Sequence, residues 1–170
     1  MDLPAGGNAS LEADASFDGC RAERMFLHLE DPARALAEMA RVVKPGGRVT
    51  VIDRDIETRT IDAPDKALTR AIVNFWCDAF LGGWVGRALP RLFRETGLQD
   101  VSAEPFTVID TDPLAFNAQY NLPRIVAQAE ASGAIGPGEG ARWLAGLDAT
   151  IAKGSFFSSM TCFVVVGRKS

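Results

Sequence analysis

The sequence holds a single histidine, a single tyrosine and three cysteines in 170 residues. Cys20, Cys77 and Cys162 are odd in number and none belongs to a CxxC pair. That argues against a disulfide scaffold or a structural zinc site and fits a reducing cytoplasm. Basic charge is also in short supply: 18 Lys and Arg against 22 Asp and Glu leave a net charge of −4. The balance argues against a broad basic face for nucleic acid or for an anionic membrane. No apolar run approaches the ~20 residues of a membrane span. A charged segment followed by an apolar leader core is likewise not seen at the start. A cytoplasmic protein with no nucleic-acid and no membrane partner is therefore expected. What is present, 47% hydrophobic and 24% charged residues, suits one globular domain.

Periodicity and turn residues order the chain. Residues 1–16 are small and polar and read as a loop. Phe17–Cys20 reads as a strand, with Arg21–Leu29 as the loop after it. Asp31-Pro32 is a helix start: the carboxylate caps free N–H groups and proline suits the first helical position. Leu36, Met39 or Ala40, and Val43 then recur at helical spacing. Lys44-Pro45-Gly46-Gly47 ends the helix, and Arg48–Asp53 is a strand. Strand, helix, strand with short links make a βαβ unit, whose crossover is right-handed. Further helices are predicted over 64–80, over 84–95 with Pro90 inside, after Asp112-Pro113 with an interruption at Pro123, and over 142–152. Val101–Ile109 and Phe156–Val166 are the remaining strands. The Phe163-Val164-Val165-Val166 run predicts burial on both faces.

Two segments carry a family resemblance. Phe17-Asp18-Gly19-Cys20-Arg21 through Phe26-Leu27-His28-Leu29-Glu30-Asp31-Pro32 resembles the fourth strand and following loop of class I S-adenosylmethionine-dependent methyltransferases. Arg41-Val42-Val43-Lys44-Pro45-Gly46-Gly47-Arg48 resembles their junction into the fifth strand. The resemblance extends through Gly83–Phe93 and Gly97-Leu98 to the last strand. It implies an α/β, Rossmann-like sheet with strands 4-5-7-6 of the family order, an antiparallel last strand and a helical cap insert. The expected layout is one partial domain: loop 1–16, α/β part 17–110, helical insert 111–154 and final strand 155–168. The family's glycine-rich cofactor turn does not precede Phe17. A truncated domain with an exposed sheet edge, prone to form a homo-oligomer, is therefore expected.

The resemblance implies methyl transfer from S-adenosylmethionine to a small-molecule acceptor, or else a non-catalytic remnant that self-associates through that edge. Ligands of open α/β sheets bind outside the carboxyl ends of the strands. Arg21, Ala22 and Glu23 match the family loop along the cofactor's methionine side; a surface ion-pair cluster is the competing reading. His28 is the candidate general base, since imidazole titrates near neutrality, or a histidine that only orients its loop. Asp53 and Asp55 are candidates to hold the acceptor, or solvated loop charges. Trp76 and Trp84, with Phe80 and Phe116, either wall an acceptor pocket or pack a helical core. Arg87, Arg91 and Arg94 either clamp an anionic acceptor or form a solvated helix face. No metal is expected.

Overall fold

The computed structural model describes residues 12–170. The chain divides into two compact units. One comprises the described residues up to Asp55, Trp84–Phe106 and Cys162–Ser170; the other comprises Ile56–Gly83 and Thr107–Thr161.

The first unit begins with strand β1 (Phe17–Glu23), helix α1 (Pro32–Val42) and strand β2 (Val43–Arg54). Asp31 caps α1 by accepting the Arg34 N–H at 2.9 Å, and Pro32 fills the first turn. The helix turns Ala35, Leu36, Met39 and Val42 inward. β1 and β2 run parallel, in register from Gly19 opposite Arg48 to Glu23 opposite Ile52. The ladder thus runs three residues past Cys20, so Arg21, Ala22 and Glu23 are strand residues and not the loop expected from the sequence. The register slips between Phe17 and Gly19 to absorb the Lys44–Gly47 turn. A Cβ on Gly47 would lie 2.6 Å from the Asp18 carbonyl oxygen, so only glycine permits this approach. Helix α3 (Val85–Glu95) runs without interruption through Pro90 and buries Leu89, Leu92 and Phe93. The later part of β5 (Ser158–Arg168) lies antiparallel on β2, from Arg48 opposite Arg168 to Arg54 opposite Cys162. Phe26, Leu36, Val49, Val51, Leu89, Phe93 and Val165 are fully buried in this unit.

The second unit contains β3 (Thr60–Ile61), α2 (Lys66–Asp78), α4 (Pro113–Tyr120), α5 (Leu122–Ala131) and α6 (Glu139–Ile151). β3 pairs antiparallel with Ser158 and Ser159 of β5. Strand β4 (Gln99–Asp110) pairs with β5. Ile72, Val126, Ala129, Trp143 and Leu147 centre the core. The Trp143 indole N–H donates to the Thr69 hydroxyl at 2.8 Å, which satisfies its buried polar tip. The break between α4 and α5 falls at Asn121, in the left-handed conformation (φ 51°), and not at Pro123. Proline costs nothing in a first turn, where its missing N–H has no helical acceptor.

β5 alternates buried with half-buried residues, but the alternation slips by one at Phe163-Val164: Ser158, Met160 and Cys162 are buried before it, and Val165 and Gly167 after it. Phe163, Val164 and Val166 are only half-buried, so the burial on both faces expected of this run is not found. No helix among the described residues is long and apolar enough to cross a membrane.

Candidate functional site

The carboxyl ends of the parallel strands β1 and β2 bring most of the candidate residues together. On β1, Arg21 and Glu23 point outward and form an ion pair with each other, while Ala22 points inward. Arg24 then adopts a left-handed backbone (φ 54°) and its N–H donates to the Ile52 carbonyl at 2.9 Å. The chain passes into a short 3-10 turn, Phe26–His28. Phe26 and Leu27 anchor the turn in the core, and His28 is exposed. The His28 N–H donates to the Met25 carbonyl at 3.0 Å.

Strand alternation puts Asp53 and Asp55 on one face, and the structure turns both inward, to 0% and 1% exposure. Their partners are within the protein. One Asp53 oxygen accepts the Arg54 N–H at 2.8 Å and the other accepts the Leu27 N–H at 3.1 Å. Burial pushes the Asp53 carboxyl above the usual carboxylate range, against the opposing pull of the Arg54, Leu27 and Phe26 N–H groups. Asp55 receives both arms of Arg87, from Nη2 at 2.7 Å and from Nε. The expectation that these two carboxylates face an acceptor is therefore corrected. A charge withdrawn from water needs full hydrogen bonding, and the neighbouring backbone and Arg87 provide it.

Arg87 is anchored on the first turn of α3, which lies against the end of β2. A Cβ on the adjacent Gly86 would fall 2.8 Å from the Arg54 carbonyl group. The guanidinium stacks over the Trp84 ring, with 4.9 Å between carbon and centroid. Trp84 keeps 56% of its surface exposed, which makes it an aromatic platform open to solvent. Arg91 and Arg94 follow the solvated-face reading: Arg91 pairs with Glu95 at 2.9 Å and Arg94 donates to the Pro90 carbonyl at 3.1 Å.

Trp76 belongs to the other unit and is 4% exposed. It packs edge-on to Phe116 and Tyr120, and Phe80 lies against the same core. This corrects the reading of Trp76 as a pocket wall in favour of helical core packing. The same cluster holds a residue that the sequence did not single out. The Arg59 guanidinium sits 4.6 Å from the Trp76 ring, 4.5 Å from Tyr120 and 5.2 Å from Phe116. It donates to the Ser158 hydroxyl at 3.0 Å and lies 3.6 Å from the Asp110 carboxylate. Three aromatic faces and a carboxylate compensate a charge that is otherwise costly to bury. The aromatic partners lie between 17 (Trp76) and 61 (Tyr120) residues away in the sequence, so no local pattern marks Arg59.

The residues left for ligand chemistry are His28, the Arg21–Glu23 pair and Trp84. No group of three or more His, Cys, Asp or Glu residues among the described ones is placed to hold a metal ion.

Comparison with known proteins gives these residues a context. A family model described as a methyltransferase domain matches residues 7–51, which contain β1, the His28 turn, α1 and most of β2. A Streptomyces fradiae protein described as an uncharacterized 37.1 kDa protein in a transposon is 35% identical over 91% of this chain. An Aspergillus sclerotiorum O-methyltransferase is 34% identical over 58% of it. The chain spans only 44% and 33% of the lengths of these two relatives. Among solved structures, the YcgJ protein of Bacillus subtilis superposes with a TM-score of 0.58 at 15% identity, covering 95% of this chain and 68% of its own. A candidate methyltransferase of Bacillus halodurans gives 0.56 at 13% identity, covering 95% and 74%.

Proposed function

We propose that the chain is part of a class I S-adenosylmethionine-dependent methyltransferase, on the strength of the methyltransferase-domain match over residues 7–51 and the shared fold, and that it serves methyl transfer from that cofactor to an oxygen of a small molecule. One observation carries the reading: the sole histidine is exposed, on a fixed turn, at the carboxyl ends of a parallel strand pair. The deficit of basic charge favours a small metabolite over nucleic acid. Several relatives are named O-methyltransferases, which favours a hydroxyl acceptor.

When bound, the cofactor supplies a methyl group already activated on a sulfonium, so the protein's contribution is alignment and exclusion of water. With the cofactor bound, Arg21 would hold its amino-acid carboxylate and Glu23 its ammonium, in exchange for the ion pair the two side chains form with each other. Ala22 offers no side-chain polarity, so its part there is that of backbone. His28 accepts the proton of the acceptor O–H at an imidazole nitrogen as that oxygen becomes nucleophilic. Trp84 gives the acceptor an apolar face at the rim.

Calorimetric titration of S-adenosylhomocysteine into the purified chain tests the cofactor reading. Micromolar binding that weakens in an R21A/E23A variant supports it. No heat at millimolar ligand refutes cofactor binding by this chain. A His28→Gln variant that binds normally and transfers at the wild-type rate refutes the role of the base.

A second reading has its own observation. Among the described residues β1 pairs only with β2, and most of its side chains are exposed. A strand edge with open N–H and C=O groups is a template for another chain. This reading makes the protein a self-associating, non-catalytic module. Sedimentation across a concentration series distinguishes it: a single monomeric boundary throughout rules it out.

A further inference from the structure

We propose that Asp53 is a positioning residue, whose buried carboxylate fixes the turn that carries His28 at the end of β1. The inference rests on the reading of His28 given above, and it gives Asp53 a role the sequence did not suggest.

The need arises in the turn itself. The first N–H groups of any helical turn have no acceptor within it. They are ordinarily met by a Ser, Thr, Asp or Asn just before the turn. Here that position is Met25, which makes no side-chain cap bond. The turn is nonetheless anchored inside the protein, with Phe26 at 0% and Leu27 at 2% exposure. An N–H group buried there without a partner is destabilising. Asp53 provides the missing cap from 26 residues away, by accepting the Leu27 N–H at 3.1 Å.

The other oxygen explains why this cap is rigid. It accepts the N–H of Arg54, the next residue of β2, at 2.8 Å. The carboxylate is thus bound to the strand on one side and to the turn on the other. Asp53 sits near the end of β2 in the stretch that pairs with both neighbouring strands: Ile52 lies opposite Glu23 of β1, and Asp53 itself lies opposite Phe163 of β5. The turn therefore takes its position from the best-held strand of this unit. Leu27 precedes His28 directly, so the backbone that aims the imidazole is set one residue upstream. A displacement of about 1 Å at a reacting group is enough to cost on the order of a hundredfold in rate.

The test uses the whole chain with D53A, and D53N as the milder variant. Asparagine keeps one accepting oxygen and so one of the two bonds. Two readouts are independent of catalysis. Amide exchange at Leu27 is expected to be about tenfold faster in D53A, and less so in D53N, while Val51 in the strand interior stays protected. His28 is the only histidine, so its ring protons give one isolated NMR signal, which is expected to move toward the unfolded-chain position in D53A. A third readout splits kinetic parameters in a methyl-transfer assay: kcat falls while the S-adenosylmethionine KM holds within about twofold. A folded D53A with wild-type Leu27 exchange and an unmoved His28 signal overturns the proposal. If D53A does not fold, the wild-type chain still decides it, because an unprotected Leu27 amide overturns it equally. Failure of the base reading has a different signature: H28Q transfers normally while the exchange effect of D53A persists.

Discussion

Removing Arg87 is expected to cost far more than removing an ordinary surface arginine. Its partner Asp55 is 1% exposed and is held by two arms of the guanidinium. Breaking a fully buried pair from one side costs about 3–5 kcal/mol, because the remaining charge has lost its compensation. Arg87 itself keeps 40% of its side chain in solvent. Water can therefore reach part of the vacated space, which reduces the expected loss in R87A to about 2 kcal/mol. Removing the carboxylate instead leaves a half-exposed arginine that turns to water, so D55A is expected to lose about 1 kcal/mol. The double variant is then less damaged than the sum, with a coupling of about 1–2 kcal/mol. Urea unfolding of the four proteins, followed by circular dichroism, gives the cycle. The loss in R87A corresponds to a fall in Tm of roughly 4–8 °C for a chain of this length. A coupling below about 0.5 kcal/mol refutes the reasoning, because the two side chains are then energetically independent.

Other perturbations follow from the same geometry. Gly86→Ala places a Cβ 2.8 Å from the carbonyl group of Arg54, against backbone that cannot rotate away, so a loss of about 2 kcal/mol or more is expected in thermal unfolding. Wild-type behaviour would mean that α3 does not approach β2 so closely. Burial raises the Asp53 pKa, so the native chain holds this proton more tightly than the unfolded chain. The stability contributed is full below about pH 4 and is lost as pH rises through the raised value. Relative to D53N, the wild type should lose stability as pH climbs from about 4, and the opposite trend refutes the burial effect. Glu130 accepts the N–H groups of Gly138 and Gly140 at 2.9 and 3.1 Å. E130A should cost about 1–2 kcal/mol in urea unfolding, and a neutral outcome would show that the start of α6 needs no cap.

How far the sequence disclosed all this depends on the range of the forces involved. The starts of α1 and α4 were legible because Asp31 and Asp112 cap N–H groups two or three residues away. The start of α6 was placed three residues late, at Arg142 and not Glu139, because its cap comes from Glu130 on another helix. β1 was ended at Cys20 because Arg21, Glu23 and Arg24 look like loop residues. Pairing with Thr50, Val51 and Ile52 outweighs that local signal. At the site, the sequence reads Arg21–Leu29 as one loop, whereas only its second half leaves the strand, as the Phe26–His28 turn. The inward turn of Asp53 and Asp55 was not legible, since alternation fixes a shared face but not which side is sealed. Which partners await them depends on Leu27 and Arg87, placed there by the rest of the chain. Trp76 fits a core and a pocket wall equally well by spacing, and only Arg59 and its aromatic neighbours decide between them.

The position of β5 has a consequence for the order in which the protein can be assembled. This strand pairs with β2, β3 and β4, and every one of them precedes it in the chain. A chain emerging from the ribosome therefore presents three strands before the one that joins them exists. Until then β2 holds β1 on one side and offers its other edge to any passing strand, with Val49 and Val51 among the side chains it must keep covered. Pairings of this span close slowly, because long loops must be ordered before any contact rewards them. The nascent protein is then most exposed to misassembly just before synthesis reaches Ser158. Codon changes or drugs that pause translation in α6 should lower the yield of soluble product more than pauses within α1, whose contacts are already local.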